Sequence, residues 1–187
     1  RLFSEIEKHS SWLVTEGNPQ DVANIAWACS KFGFLSPNLF LNIEKQSSWL
    51  IKEAEKSGNM QDISSVALSF AIVGLASEEI FGSICKIVPN LIEEGNQQHI
   101  INICYAFAVL DLAKKYGKEF RLLWAKAISL DPKVLPREQR VQLFQTHAFV
   151  TASGVKSLEA PALLETDEIA LKANVRESRS QNEVSGI

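Results

Sequence analysis

The sequence predicts an all-α protein, a short α-solenoid of stacked helix pairs with a period of about 37 residues. Three observations support this. One stretch of sequence recurs three times in the same phase. Apolar residues within each stretch recur at helical spacing. Asparagine stands where such helices would begin, and glycine, or aspartate in the third unit, stands where they would end. No segment shows the sustained alternation of apolar and polar residues that predicts a strand.

Three stretches of the sequence repeat one another. The three stretches read FSEIEKHSSWLVTEGNPQDV (3–22), FLNIEKQSSWLIKEAEKSGNMQDI (40–63) and FGSICKIVPNLIEEGNQQHI (81–100). Phe3 and Phe40 lie 37 residues apart, and Phe81 follows 41 residues later because the middle stretch carries a four-residue insert at 54–57. A helix pair of this size cannot bury its apolar stripe alone, so we expect neighbouring pairs to stack.

Each unit should contain two helices. The first is predicted at 21–32 in unit one, with Val22, Ile25, Cys29 and Phe32 on one face, and similar patterns start at 63 and 100. The second is predicted at 37–52, 78–94 and about 116–130. The residues expected to begin the first helices are Asn18, Asn59 and Asn96, and those expected in left-handed C-terminal caps are Gly33, Gly74 and Asp111.

The repeats predict three regions. Residues 1–130 form three helix-pair repeats, and 131–150 form a degenerate capping helix read from QRVQLFQTHAF. From 151 to 187 the chain loses large apolar residues, which indicates a mobile or partner-ordered tail with one short helix near 168–177.

Composition restricts the possible classes of function. The net charge of −3 lacks the strongly basic character that is usual in nucleic-acid modules. Cys29, Cys85 and Cys104 each lie in an apolar run without a CxxC pair, so we interpret them as small core residues in a reducing compartment. We expect no metal or cofactor, and no membrane insertion, because no apolar run approaches the roughly 18 residues that a span requires.

The segment QDVANIAWACSKFG (20–33) resembles the first helix of heptatricopeptide and octotricopeptide repeats. These repeats occur in organellar proteins, often together with a RAP domain, and FAST-kinase-like proteins contain similar repeats. QLFQTHAFV (142–150) is similar to the helix that often follows such repeats, and SRSQNEVS (178–185) resembles the segment that leads into a RAP domain, which is itself absent. The resemblance implies binding of organellar RNA in transcript maturation, translation or ribosome assembly. It also implies a nuclear-encoded protein of a mitochondrion or plastid, with its targeting segment outside this chain.

Polar residues recur on the first helices. Asn24, Ser65 and Asn102 occupy one repeat position, where amides and a hydroxyl could read one base of single-stranded RNA per unit. Small polar residues inside a helix are mildly unfavourable, which favours a role for them, although an ordinary solvated position is the alternative. Two further sets recur in the first turns of these helices, Gln20, Gln61 and Gln98, and Asp21, Asp62 and His99. They could also read base edges, with stabilisation of the helix dipole and capping of free N–H groups as the alternative.

Aromatic residues share another repeat position, with Trp27 and Tyr105 in units one and three and Leu68 between them in unit two. They could stack on bases, but the leucine at the same position favours core packing.

The segment 111–140 is the most basic part of the chain. Lys114, Lys118 and Arg121 follow helical spacing, which would place them on one helix face, although Gly117 could interrupt that helix. These residues are the best candidates for phosphate contacts, with an ordinary solvated face as the alternative. The predicted RNA-binding set is Asn24, Ser65, Asn102, Lys114, Lys115, Lys118, Arg121 and Lys126.

The histidines stand alone, and the sequence contains neither a nucleophile elbow nor a glycine-rich phosphate loop, so we expect no enzyme activity and no small-molecule substrate. Two functions remain. The first is binding of single-stranded RNA or rRNA, with organellar protein partners possible. The alternative is a protein-binding scaffold subunit of a large organellar assembly, such as a ribosome or a membrane complex.

Overall fold

The computed structural model describes residues 2–162, and this part of the chain forms ten α-helices and no strand. The prediction of an all-α protein is confirmed. The helices are α1 (Leu2–Glu16), α2 (Pro19–Lys31), α3 (Pro37–Lys45), α4 (Ser47–Lys56), α5 (Met60–Ile72), α6 (Glu78–Lys86), α7 (Val88–Glu94), α8 (Gln97–Val109), α9 (Gly117–Ile128) and α10 (Arg137–Ala152).

The first helices of the three units have equal length, because α2, α5 and α8 contain 13 residues each. The side-chain oxygens of Asn18 and Asn96 accept hydrogen bonds from the backbone N–H three residues later, which caps α2 and α8 as predicted. Asn59 differs, since its side-chain amide donates to the Asp62 carboxylate at 2.8 Å and makes no cap bond.

The predicted left-handed positions after these helices are all present. Gly33 has a φ of 66° and Gly74 a φ of 75°. Asp111 takes the same conformation with a φ of 55°, which is uncommon for a residue with a Cβ atom. Each of these left-handed residues ends its helix and reverses the direction of the backbone toward the following helix.

The second helices differ from their prediction in two units. Instead of single helices over 37–52 and 78–94, the chain breaks at Gln46, between α3 and α4, and at Ile87, between α6 and α7. The second break has a clear cause, because Pro89 in the first turn of α7 lacks the N–H that a continuous helix would require. The third unit has one helix, α9, as predicted.

The helices pack in two rows. Row one consists of α2, α5, α8 and α10, and each packs against the next. Row two consists of α1, α3, α4, α6, α7 and α9, in which α1 packs against α3, α4 against α6, and α7 against α9. The core lies between the rows. Equivalent phenylalanine pairs bridge them in units two and three, with Phe40 on Phe70 and Phe81 on Phe107, both at 5.1 Å between ring centroids and nearly perpendicular.

Three expectations about the periphery have different outcomes. Phe32, expected on the buried face of the first helix, is 77% exposed because it follows the last turn of α2. The helix predicted from QRVQLFQTHAF is present as α10. The short helix expected near 168–177 lies outside the described residues.

Candidate functional site

A polar groove runs across row one, with a volume of about 690 Å³. All four helices of the row contribute to it, since the lining residues come from α2, α5, α8 and α10, together with the cap that starts α8. The groove therefore crosses the repeat units, and equivalent positions of successive units follow one another along it.

The three side chains predicted to read bases all line this groove. They are Asn24 of α2, Ser65 of α5 and Asn102 of α8. Asn102 accepts a hydrogen bond of 3.1 Å from the side-chain amide of Gln142 in α10. Both Asn24, which is exposed, and Ser65, which is half-buried, line the groove, and neither side chain has a hydrogen-bond partner within residues 2–162.

The aromatic position lies in the same groove, one helical turn farther along each helix. Trp27, Leu68 and Tyr105 line it, and Trp27 and Tyr105 are half-buried and lie outside the hydrophobic core. The expectation of core packing for these two rings was wrong. A groove wall and a core interior both use rings at helical spacing, so the sequence pattern alone did not separate them. Phe149 of α10 packs against Tyr105 at 6.3 Å between centroids.

Four glutamines add amide groups to the site. Gln61 and Gln98, for which base reading and a first-turn role were both considered, line the groove together with Gln142 and Gln145 of α10. The spacing of Gln61 and Gln98 from Ser65 and Asn102 is one helical turn, which places them on the same helix face. The repeat phase already indicated these two positions, whereas Gln142 and Gln145 were not predicted.

The groove carries little charge. Lys31 and Glu138 are its charged residues, and the Lys31 ammonium lies 4.5 Å from the centre of the Trp27 ring. Burial lowers the pKa of His99, so this side chain favours its neutral form. Its Nδ1 atom is buried without a hydrogen-bond partner in the part of the chain described. An unpaired polar atom in a groove wall is a feature that a bound polar ligand would satisfy.

The predicted basic residues do not reach this groove. Lys114 and Lys115 precede α9, and Lys118, Arg121 and Lys126 lie within it, in row two. Since α9 begins at Gly117, the prediction of one helix face through Lys114, Lys118 and Arg121 was wrong. Lys115 forms an ion pair with Glu78, and this contact raises the pKa of the lysine. The Arg121 guanidinium donates to the Lys156 carbonyl oxygen at 3.3 Å.

The cysteines behave as core residues. Cys29 and Cys104 are buried and Cys85 is half-buried, and all three are free thiols. Burial raises the pKa of each thiol, that of Cys85 to about 12. Among residues 2–162 no group of three or more His, Cys, Asp or Glu side chains is arranged to hold a metal ion.

None of the described helices has the length and hydropathy that crossing a bilayer requires. Comparisons with models of protein families, with curated proteins and with solved structures found no match to this chain.

Proposed function

We propose that the paired rows form a short α-solenoid with a period of about 37 residues, whose row-one groove binds extended single-stranded RNA. One observation carries this proposal. A single groove is lined by the three positions that the repeat phase predicts to read bases, which lie on neighbouring row-one helices. They are Asn24 of α2, Ser65 of α5 and Asn102 of α8. The aromatic positions one turn away give the same groove rings on which bases can stack.

The groove suggests how RNA would be held. Packed helices lie about 8–10 Å apart, so consecutive units can each meet one base of a stretched strand. Asparagine and glutamine side chains carry both a donor and an acceptor, which suits the edges of bases. Trp27 and Tyr105 would contribute stacking of about 1–3 kcal/mol per base. Because Lys31 is the single cation among the lining residues, most phosphates would face solvent.

This geometry predicts weak dependence on salt. Binding through many phosphate contacts would fall steeply as salt rises, with a slope of about −0.7 per contact for a single strand. With Lys31 as the one basic lining residue, we expect a slope of about −0.7 in total. The lysines near α9 would contribute little, because they lie in row two.

A second candidate is an extended peptide from a protein partner. The neutral, amide-rich character of the groove favours this alternative, because amide side chains can also pair with the N–H and C=O groups of a peptide backbone. A scaffold subunit of a large organellar assembly would use the groove in this way.

The experiment is fluorescence anisotropy of a labelled pool of single-stranded RNA at low and moderate salt. The test variants are Trp27→Leu and Tyr105→Leu, since leucine already occupies this position in unit two as Leu68. Each should weaken binding by roughly fivefold or more. The control variant, Lys114→Ala with Lys118→Ala, removes charge in row two and should change affinity by less than about twofold.

Three results are possible. Loss of affinity in the ring variants, with the control unchanged, would support the groove as the RNA site. Loss in the control alone would move the site to row two. No binding to RNA at low salt would reject the proposal and leave the peptide candidate, to be tested with a labelled library of unstructured peptides and the same ring variants.

The cellular setting rests on the family resemblance of the segment 20–33 alone. We propose a role in a mitochondrion or plastid, in transcript maturation, translation or ribosome assembly. The absence of enzyme activity and of a cofactor stays a prediction from the sequence.

A further inference from the structure

The two rows are offset at their first member. In the later units, a row-one helix comes first in the chain and the row-two helices that follow pack against it. This holds for α2 with α3, α5 with α6, and α8 with α9. Within residues 2–162 no row-one helix stands before α1. The inner side of α1 and the adjoining side of α2 therefore form a surface whose equivalents in later units are covered.

Burial on α2 shows this difference directly. Ile25 is half-buried, whereas its equivalents Val66 in α5 and Ile103 in α8 are 0% exposed. Those two residues are buried because α2 packs against α5, and α5 against α8. The side of α2 that bears Ile25 has no such neighbour among the described helices.

The same difference appears on α1. Its sequence closely matches that of α3 and α4, with IEK and SSW in both. Nevertheless its apolar positions Phe3, Ile6 and Leu13 are half-buried, whereas their equivalents in α3 and α4 are at most 1% exposed. The equivalent residues are Phe40, Ile43 and Leu50. Nearly identical apolar sequences thus differ in burial because of what packs on them.

A concavity of about 370 Å³ lies on this surface, between α1 and α2. Trp12 and Leu13 of α1 and Ile25 of α2 form its apolar wall, and Trp12 is 63% exposed. Glu16 and Asp21 supply carboxylates to the same surface. Two negative charges beside an apolar concavity complement a partner that has an apolar stripe and a basic side chain.

We propose that this surface is a docking site for one amphipathic helix of about 13 residues, the length of α2, α5 and α8. The helix carries an apolar stripe of the row-one type and at least one lysine or arginine facing Glu16 and Asp21. A second copy of the chain fits less well, because two copies meeting through this face would place their carboxylates together. Since Asn24 lines both this hollow and the groove, the docked helix lengthens the groove by one unit.

The chain supplies its own probe for this site. Residues 18–37 contain α2 with its cap and the loop that leads into α3. When a copy of 18–37 is fused ahead of Arg1, its final proline precedes Arg1 just as Pro37 precedes Asn38, and the repeat spacing is preserved. The copied helix then reaches α1 in the way that α2 reaches α3 and α4.

The readout is the midpoint of thermal unfolding. We expect the fusion to unfold at least about 5 °C above the original chain, because residues exposed on α1 and α2 become buried. Leu13→Glu should cost little in the original chain, where Leu13 is half-buried, but should abolish the gain in the fusion.

Either of two results would overturn the proposal: a fusion no more stable than the original chain, or a gain that survives Leu13→Glu. Sedimentation velocity of the original chain gives an independent check. A dimer that Leu13→Glu dissociates would show that a second copy covers this face, which would also overturn the proposal. The test does not involve RNA, so its outcome is separate from that of the proposed function.

Discussion

The equivalent phenylalanine pairs allow a quantitative test of the repeat architecture. Phe81 and Phe107 are both 0% exposed, with ring planes at 82°. Phe40 and Phe70 are each 1% exposed, at 79° and the same centroid distance. If the two pairs are structural repeats of one another, their interaction energies should agree, even though their other neighbours differ.

Phe→Leu substitutions provide the perturbation. Leucine keeps an apolar side chain, so each single change should cost about 1–2 kcal/mol, less than the roughly 3–5 kcal/mol of truncation to alanine. Phe107→Leu should cost more than Phe70→Leu, because Phe107 also packs against Tyr116 at 5.8 Å and Phe120 at 6.4 Å. The double-mutant cycle removes this difference and isolates the ring–ring term.

We expect a coupling energy of about 0.5–1.5 kcal/mol in each cycle, the usual worth of an edge-to-face pair beyond its burial. The assay is urea unfolding followed by far-UV circular dichroism, analysed by linear extrapolation. Leu122→Ala serves as a control, because Leu122 is 47% exposed and should change stability by less than about 0.5 kcal/mol. Couplings that differ by more than about 0.5 kcal/mol between the two pairs would refute their equivalence.

Three further predictions concern single positions. Burial and, to a smaller extent, Asp21 raise the pKa of Asp62, so folding favours its protonated form. Asp62→Asn should therefore raise the midpoint of thermal unfolding at pH 7, where the free carboxyl group is ionised. Thermal scans should show no such gain at a pH low enough to protonate the carboxyl group in both states. Gly74→Ala should lower the free energy of unfolding by about 1 kcal/mol, because a Cβ there meets no neighbour but φ is positive. Asp111→Gly should raise the free energy of unfolding by a similar amount, since Asp111 also has a positive φ; the urea assay measures both changes. Cys85, whose pKa is raised to about 12, should react with an aromatic disulfide reagent at pH 8 at least roughly tenfold slower in the folded than in the urea-unfolded chain.

Local chemistry explains which parts of the fold the sequence predicted. The caps at Asn18 and Asn96 and the left-handed turns at Gly33, Gly74 and Asp111 depend on a few neighbouring atoms, so residue type at a fixed offset indicated them. The apolar spacing of the first helices was equally informative, since it requires no knowledge of neighbouring units.

The breaks in the second helices were less predictable. Pro89 explains the break at Ile87, and it could have been read from the sequence. The break at Gln46 could not, because α1 continues through the same Ser-Ser-Trp sequence without interruption. The local sequences differ only in His9 against Gln46 but take different backbone conformations, from which we infer that packing against neighbouring helices contributes to the break.

The candidate site was predicted only in its repeated polar positions. Their shared position in the repeat predicted that Asn24, Ser65 and Asn102 lie together, and all three line the groove. The repeat pattern did not indicate which face of each helix packs against the other row. For that reason Trp27 and Tyr105 were assigned to the core, and the lysines near α9 were grouped with a surface that they do not share. Which residues meet across helices is set by tertiary packing, which periodicity does not specify.

The neutrality of the groove limits how tightly it could hold RNA. Two rings at about 1–3 kcal/mol each supply roughly 2–6 kcal/mol, from which the cost of ordering the strand is subtracted. Even the upper end of that sum, before the subtraction, corresponds to a dissociation constant of only about 40 μM. Additional row-one helices would each add one polar position and one possible ring without changing the chemistry of the groove. In the fusion that carries a second copy of 18–37, the copied Asn24 and Trp27 extend the site, so RNA affinity should rise by about fivefold or more. If the fusion folds with its gain in stability but binds RNA no better than the original chain, the docking surface stands and binding by the repeated positions fails.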